Sequence, residues 1–210
     1  MKLPLEPALA RPALPPGKAA LKRTFDLGVA LALAPILAPA VAVLALGAWR
    51  STGKGIFVQT RIGRYGRPFR LYKICSMRPI EGVTTNVTTG EDPRITRFGR
   101  FIRRAKMDEF PQLWNVIKGD MSFVGPRPDV AEMYTALPDT DAPVLCLRPG
   151  ITGPASVAYK NEEELLAAQP NPEGYNAEVL FPAKMQINHA YIRDWSLGGD
   201  MKIMLGTVLG

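Results

Sequence analysis

Two cysteines and one histidine among 210 residues leave little from which to build a metal or disulfide framework. Cys75 and Cys146 form no C-x-x-C pair and His189 stands alone, so the spacing supports neither a zinc site nor a stapled secreted domain. A reducing compartment is expected. Acidic residues are scarce in the centre: Arg50 to Arg127 carries sixteen Lys and Arg against six Asp and Glu, whereas Pro128 to Gly210 carries five against eleven. A basic centre requires an anionic partner, whether nucleotide, nucleic acid or membrane surface. No recognised nucleic-acid motif accompanies it, so no nucleic-acid partner is expected. There is no internal repeat, and the length suits one domain plus an extra segment.

Charge is absent altogether from Leu27 to Trp49, twenty-three mostly apolar residues. That length suffices for a straight helix to cross a hydrocarbon core of about 30 Å. Pro35 and Pro39 near its middle argue otherwise, as do basic residues at both ends: Lys22 and Arg23 before, Arg50 and Lys54 after. Positive flanks mark cytoplasmic ends, and two prolines four apart bend a rod. A re-entrant helix hairpin over 21–50 satisfies both observations, with Pro35 and Pro39 at the bend and Lys22, Arg23 and Arg50 at the membrane interface. A kinked spanning helix and a cleaved signal peptide are the alternatives. Residues 1–20, with prolines at 4, 7, 12, 15 and 16, read as a disordered leader, and 51–210 as a cytoplasmic domain.

Within that domain, Ile56–Gln59 and Pro68–Ile74 are β-prone runs around a Gly63–Gly66 turn, a hairpin carrying Arg61, Arg64, Arg67 and Arg70. Glu81–Pro93, rich in Thr and Gly, reads as a mobile loop. Ile95, Phe98, Ile102 and Ala105 recur at helical spacing among five arginines, predicting a basic amphipathic helix able to lie on anionic lipid headgroups. Arg148-Pro149-Gly150 is read as a turn and Asn161–Asn176 as a polar loop. Ala183–Trp195 and Asp200–Leu209 are read as amphipathic helices.

The densest chemistry lies in KMDEFPQLWNVIKGDMSFVGPRP, Lys106 to Pro128. Pro111 fits only a first helical turn, so a helix should begin close to Asp108 and stop at Gly119. A helix N-terminus favours an ionised carboxylate and attracts anionic substrates. Asp108 is then either a plain N-cap or a nucleophile.

Five blocks in order, KRTFD at 22–26, IFVQTRIGRYGRPFRLYKICSM at 56–77, ITRFGRFIRRAKMDEFPQLWNVIKGDMSFVGPRP at 95–128, RPGITG at 148–153 and DMKIM at 200–204, resemble the bacterial sugar transferase family. These are monotopic phosphoglycosyl transferases acting on polyprenol phosphate. The resemblance implies an α+β fold: a small, mainly helical catalytic domain behind a re-entrant hairpin, on the cytoplasmic face of the bacterial inner membrane. It implies transfer of a sugar-1-phosphate from a UDP-sugar to undecaprenyl phosphate, with release of UMP and with Mg²⁺ as cofactor. Asp108 would be the nucleophile and Glu109 its partner, at the metal or in proton handling. Arg127 would meet the substrate phosphates, with Arg103, Lys73 and Arg148 as further anion-binding candidates. Anionic lipids are expected partners, and a homodimer is left open. The alternative is a non-catalytic module binding anionic lipid. The chain departs from the family at Ala38-Pro39, where a Ser-Pro pair is common, and at Pro154-Ala155-Ser156, where an aromatic residue commonly follows RPGITG.

Overall fold

The computed structural model describes residues 13–80, 92–129, 134 and 139–209. Most of the leader and most of the Glu81–Pro93 loop lie outside them.

Helix α1 runs Pro16–Thr52. Proline fits its first turn because the missing N–H would have no helical partner there. Gly53 ends it in the left-handed region at φ 81°, donating its N–H to the Trp49 carbonyl. Five residues assigned to the leader therefore belong to the helix. The two-armed hairpin expected over 21–50 is not observed. The segment is one helical element with Pro35 and Pro39 inside it. Proline's fixed φ is itself helical, so each ring removes one backbone hydrogen bond and strains one turn without ending the element.

Both halves of α1 pack on the same globular body. Val29, Ala30, Leu33, Ala34 and Leu37 meet Leu113, Val116, Met121, Phe123 and Val124. Val41, Leu44, Ala45 and Ala48 meet Ile74, Cys75, Phe98 and Ile102. Leu31, Ile36, Val43, Leu46 and Trp49 stay exposed.

Lys22 and Arg23, expected at the membrane interface, both have partners within the domain. Lys22 is 6% exposed and pairs with Asp200 at 2.6 Å. Arg23 donates to the Val116 and Ile117 carbonyls at 2.6 and 3.0 Å, satisfying a helix C-terminus. Asp200 also accepts from Tyr191 and Trp195, and Asp26 accepts the Phe123 N–H. The KRTFD and DMKIM blocks thus meet in one buried polar network, with Lys22 paired to Asp200 and Asp26 hydrogen-bonded to the backbone. Arg50 is exposed.

Strands β1 (Ile56–Ile62) and β2 (Pro68–Ile74) form the expected antiparallel hairpin, Ile56 opposite Ile74 and Ile62 opposite Pro68. α2 spans Arg97–Arg104, with the Thr96 hydroxyl accepting the Gly99 N–H as N-cap. α3 spans Gln112–Lys118 and ends at left-handed Gly119. Asn115, fully buried, locks α3 to β2 by accepting the Tyr72 N–H and donating to the Arg70 carbonyl at 2.7 Å.

β3 (Ser122–Val124) pairs in parallel with β4 (Gly150–Thr152), a pairing the sequence reading did not contain. Between them lies α4 (Ala142–Leu145); after them come α5 (Pro154–Ala158), α6 (Glu162–Ala167) and α7 (Pro172–Tyr175). Helical turns thus occupy the stretch expected to be a polar loop. A π-helical turn, Asn176–Leu180, leads into α8 (Phe181–Arg193), and α9 (Leu197–Leu209) follows.

The VGPRP and RPGITG blocks cross where only glycine fits. A Cβ on Gly150 would lie 2.2 Å from the Gly125 nitrogen and 2.2 Å from the Thr152 carbonyl oxygen, and one on Gly153 would lie 2.1 Å from the Gly125 carbonyl oxygen. The crossing is tied by Gly125 N–H to Thr152 O and by Gly150 N–H to Pro126 O, both 2.9 Å. Gly150→Ala must push these backbones apart. It should cost about 1–3 kcal/mol of stability, read as a lowered urea midpoint, and should weaken activity by shifting Arg127, with the dyad untouched.

Candidate active site

Lys106 starts the site. It follows the last turn of α2 with φ 53°, a left-handed conformation that non-glycine residues rarely adopt, and its N–H bonds the Arg103 carbonyl at 2.9 Å. The chain thereby stops α2 abruptly and enters a 3-10 turn, Met107–Glu109, before Pro111 opens α3. Asp108 lies inside that turn, whose N-cap position is taken by Lys106. The plain N-cap reading therefore does not describe it.

Asp108 is 6% exposed, and among the described residues its carboxylate accepts no hydrogen bond. Lys73 Nζ stands 4.0 Å from Oδ2. Burial raises the Asp108 pKa above its ordinary value and the neighbouring Glu109 charge adds to this, while Lys73, Arg103 and Arg127 oppose. Glu109 is different. Burial also disfavours its charge, but Arg127 and Lys73 outweigh it by charge and hydrogen bonding, holding its pKa at about 2. One oxygen, Oε1, takes both partners, Lys73 Nζ at 3.0 Å and Arg127 Nη2 at 2.9 Å. Pro126 and Pro128, both buried, restrict the backbone that aims Arg127, whose side chain remains 46% exposed.

Four of the six substrate and dyad candidates are thus joined directly: Asp108, Glu109, Lys73 and Arg127. Arg103 is near enough to lower the Asp108 pKa, but its guanidinium bonds Glu163 of α6. Arg148 is elsewhere. Its Nε donates to the Gly119 carbonyl at 2.8 Å, at the end of α3 opposite the dyad, where burial and then Arg64 and Arg23 lower its pKa. Its role there is to satisfy a helix terminus.

Sequence reasoning missed three residues that crowd the site: Glu162, which pairs with Lys184 at 2.6 Å, Lys184 itself, and Asp129. Burial pushes the Asp129 carboxyl up, against the opposing charges of Lys184, Arg61 and Arg127. A run of three glutamates in a polar stretch carries no periodic signal, so nothing in the sequence singled them out.

No group of three or more metal-ligating side chains occurs among the described residues. Mg²⁺ does not need one. It commonly takes one or two carboxylates and completes its shell with water and substrate phosphate oxygens. Asp108 and the second oxygen of Glu109, to neither of which any described residue donates, fit that role.

Buried, cation-flanked and without a hydrogen-bond donor, Asp108 is equipped to attack an electrophile when ionised. Activity should therefore fail on acidification at a pH above that of an ordinary aspartate. Lys73 lowers the Asp108 pKa, so Lys73→Met must raise it and move the acid limb of the kcat/KM profile to higher pH, with activity about 10²-fold lower at the optimum. An unmoved limb would mean that a different group titrates.

Comparison with known proteins follows the same blocks. A model of the bacterial sugar transferase family matches residues 17–210. The UDP-galactose-lipid carrier transferase of Erwinia amylovora is 36% identical over 205 residues, which cover 90% of this chain and 39% of that protein. The UDP-glucose:undecaprenyl-phosphate glucose-1-phosphate transferase of Escherichia coli is 36% identical over 195 residues, covering 90% and 39%. A transferase of the same name from Caulobacter vibrioides is 36% identical over 192 residues, covering 89% and 68%. The chain spans 39% of the length of the Erwinia and Escherichia relatives. The family match takes in α1, the dyad and both glycine-bearing blocks, and the chain belongs to the bacterial sugar transferase family.

Proposed function

We propose that the protein is a phosphoglycosyl transferase moving a sugar-1-phosphate from a UDP-sugar to undecaprenyl phosphate, the membrane step that begins assembly of a polysaccharide or other glycoconjugate. The observation that carries this reading is a buried, unbonded Asp108 beside a Glu109 clamped by Lys73 and Arg127, within a chain whose relatives are named as such transferases.

In the first step an Asp108 carboxylate oxygen attacks the phosphorus that bears the sugar. The bond between that phosphorus and the bridging oxygen breaks, and UMP leaves with the electron pair. In the second, a phosphate oxygen of the lipid attacks the same phosphorus and Asp108 departs as carboxylate, giving undecaprenyl-diphosphate-sugar. A diphosphate repels an anionic nucleophile, so cations must first offset its charge. Lys73 stands beside Asp108, and Arg127, half-exposed, turns N–H groups outward that can grip two phosphate oxygens at once. Glu109 holds both cations in place. Mg²⁺, if held by Asp108 and Glu109, would offset the charge of the donor diphosphate and of the departing UMP.

Membrane attachment is part of the reading. Helix α1 would dip into one leaflet of the inner membrane about Pro35 and Pro39, with the remaining domain on the cytoplasmic face. Support comes from the way both of its flanks hold the same body: Arg23 and Asp26 on one side, Ala48 and Ser51 on the other. A straight helix of 37 residues would be about 55 Å long, and a spanning helix could not keep both ends on one small domain. The exposed Leu31, Ile36, Val43 and Leu46 supply the lipid-facing surface.

Asp108→Asn should abolish UMP release from the accepted UDP-sugar in the presence of Mg²⁺ and undecaprenyl phosphate, by about 10³-fold or more. Folding and vesicle association should be kept. Release at the parent rate would refute Asp108 as nucleophile.

A further inference from the structure

Helix α6 begins with three consecutive glutamates, and the first two reach different elements around the dyad. Glu163 accepts a hydrogen bond from Arg103 at the C-terminal end of α2. Glu162 accepts one from Lys184 of α8 at 2.6 Å, and its charge is felt by Arg127 as well. Arg103 acts on Asp108 from one side while Lys184 acts on Asp129, two residues beyond Arg127. Arg103 and Lys184 are therefore each already holding a carboxylate. An N–H committed to a glutamate cannot also grip a phosphate oxygen.

We propose that α6 is a displaceable acidic strap, in which Glu163 and Glu162 occupy the anion subsites of Arg103 and Lys184 until a diphosphate-bearing substrate takes their place. Lys184 is thereby assigned as a further phosphate-binding residue, and Glu162 and Glu163 as positioning residues. The inference rests on reading the site as one for a diphosphate donor.

The construction of α6 suits displacement. It is six residues long, its N-cap Asn161 makes no side-chain cap bond, and Leu166 is its one buried side chain. Helices this short depend on outside contacts. The Glu163 and Glu162 side chains are 48% and 30% exposed, so each pair is partly screened by water. A diphosphate offers more negative charge and a geometry that fills a guanidinium fork, so it competes with a single carboxylate on both counts.

Isothermal titration of inorganic pyrophosphate into the full chain tests the strap without turnover. Glu163→Gln and Glu162→Gln should each bind about two- to fivefold tighter than the parent, the scale of one partly exposed ion pair. Glu164→Gln removes the same charge from the same helix, but this residue makes no ion pair with any described residue, and its affinity should not change. In an Arg103→Ala background, Glu163→Gln should bring no gain, and neither should Glu162→Gln in a Lys184→Ala background. Unchanged or weaker binding in both Gln variants would overturn the strap. So would an equal gain in Glu164→Gln, which would mark a bulk charge effect, or an absence of measurable pyrophosphate binding throughout. UMP release reports separately on the transferase. Its absence alongside the predicted pyrophosphate shifts would refute the transferase and leave the strap standing.

Discussion

Glu109 Oε1 accepts from Lys73 at 3.0 Å and from Arg127 at 2.9 Å, and through that one oxygen a hairpin strand, a 3-10 turn and a proline-flanked loop are held at a common point. Removing the oxygen would leave Lys73 and Arg127 facing each other without the anion they share. The bridge also divides the labour of two adjacent carboxylates. Glu109 stays charged at any physiological pH because its partners hold its pKa at about 2. Asp108, one residue earlier, has neighbouring charges but accepts no hydrogen bond from the described residues, and burial lifts its pKa. Neighbours in sequence are thus driven to opposite behaviour by environment alone, a pattern that marks functional sites.

The remainder of the domain reads as scaffolding for that point. Asn115 pins α3 against β2 behind Lys73, Lys106 accepts a left-handed backbone to aim the Asp108 turn, and the glycine crossing of VGPRP with RPGITG sets the loop that carries Arg127. Arg23 and Arg148 close the far end of α3 by capping its carbonyls. α1 is also part of the domain. Its first half is a core helix of the domain, fixed by Ala30 against the β3 region and by the buried pairing of Lys22 with Asp200.

How much of this was legible in the sequence depended on whether a residue's role was local. The hairpin showed in its β-branched runs and glycine turn, and the end of α3 showed in Gly119, because these signals act within a few positions. The Lys73, Asp108, Glu109 and Arg127 grouping came through resemblance, since spacing by itself does not bring residues 73 and 127 together. Contacts with distant partners were not legible. Lys22 and Arg23 looked like membrane-interface charges because their partners lie 178 and 93 residues away. Arg148 looked like a phosphate ligand because the carbonyl it caps is invisible in a string of letters. The three-residue strands β3 and β4 are almost wholly buried and show no alternation to detect. The prolines of α1 predicted a break, yet the chain stays helical through them because packing on both sides holds the helix in place.

Asp108 as a covalent nucleophile is the central claim, and intact-protein mass spectrometry tests it most directly. The protein would be mixed with its UDP-sugar and Mg²⁺ without lipid acceptor and quenched in acid. The account predicts a mass increase of one sugar phosphate, located by proteolysis on the peptide containing Asp108, with a matching burst of UMP, and its disappearance when undecaprenyl phosphate is added. UMP formed only when lipid is present, with no adduct at any time, would mean direct transfer between the two substrates and would contradict the account.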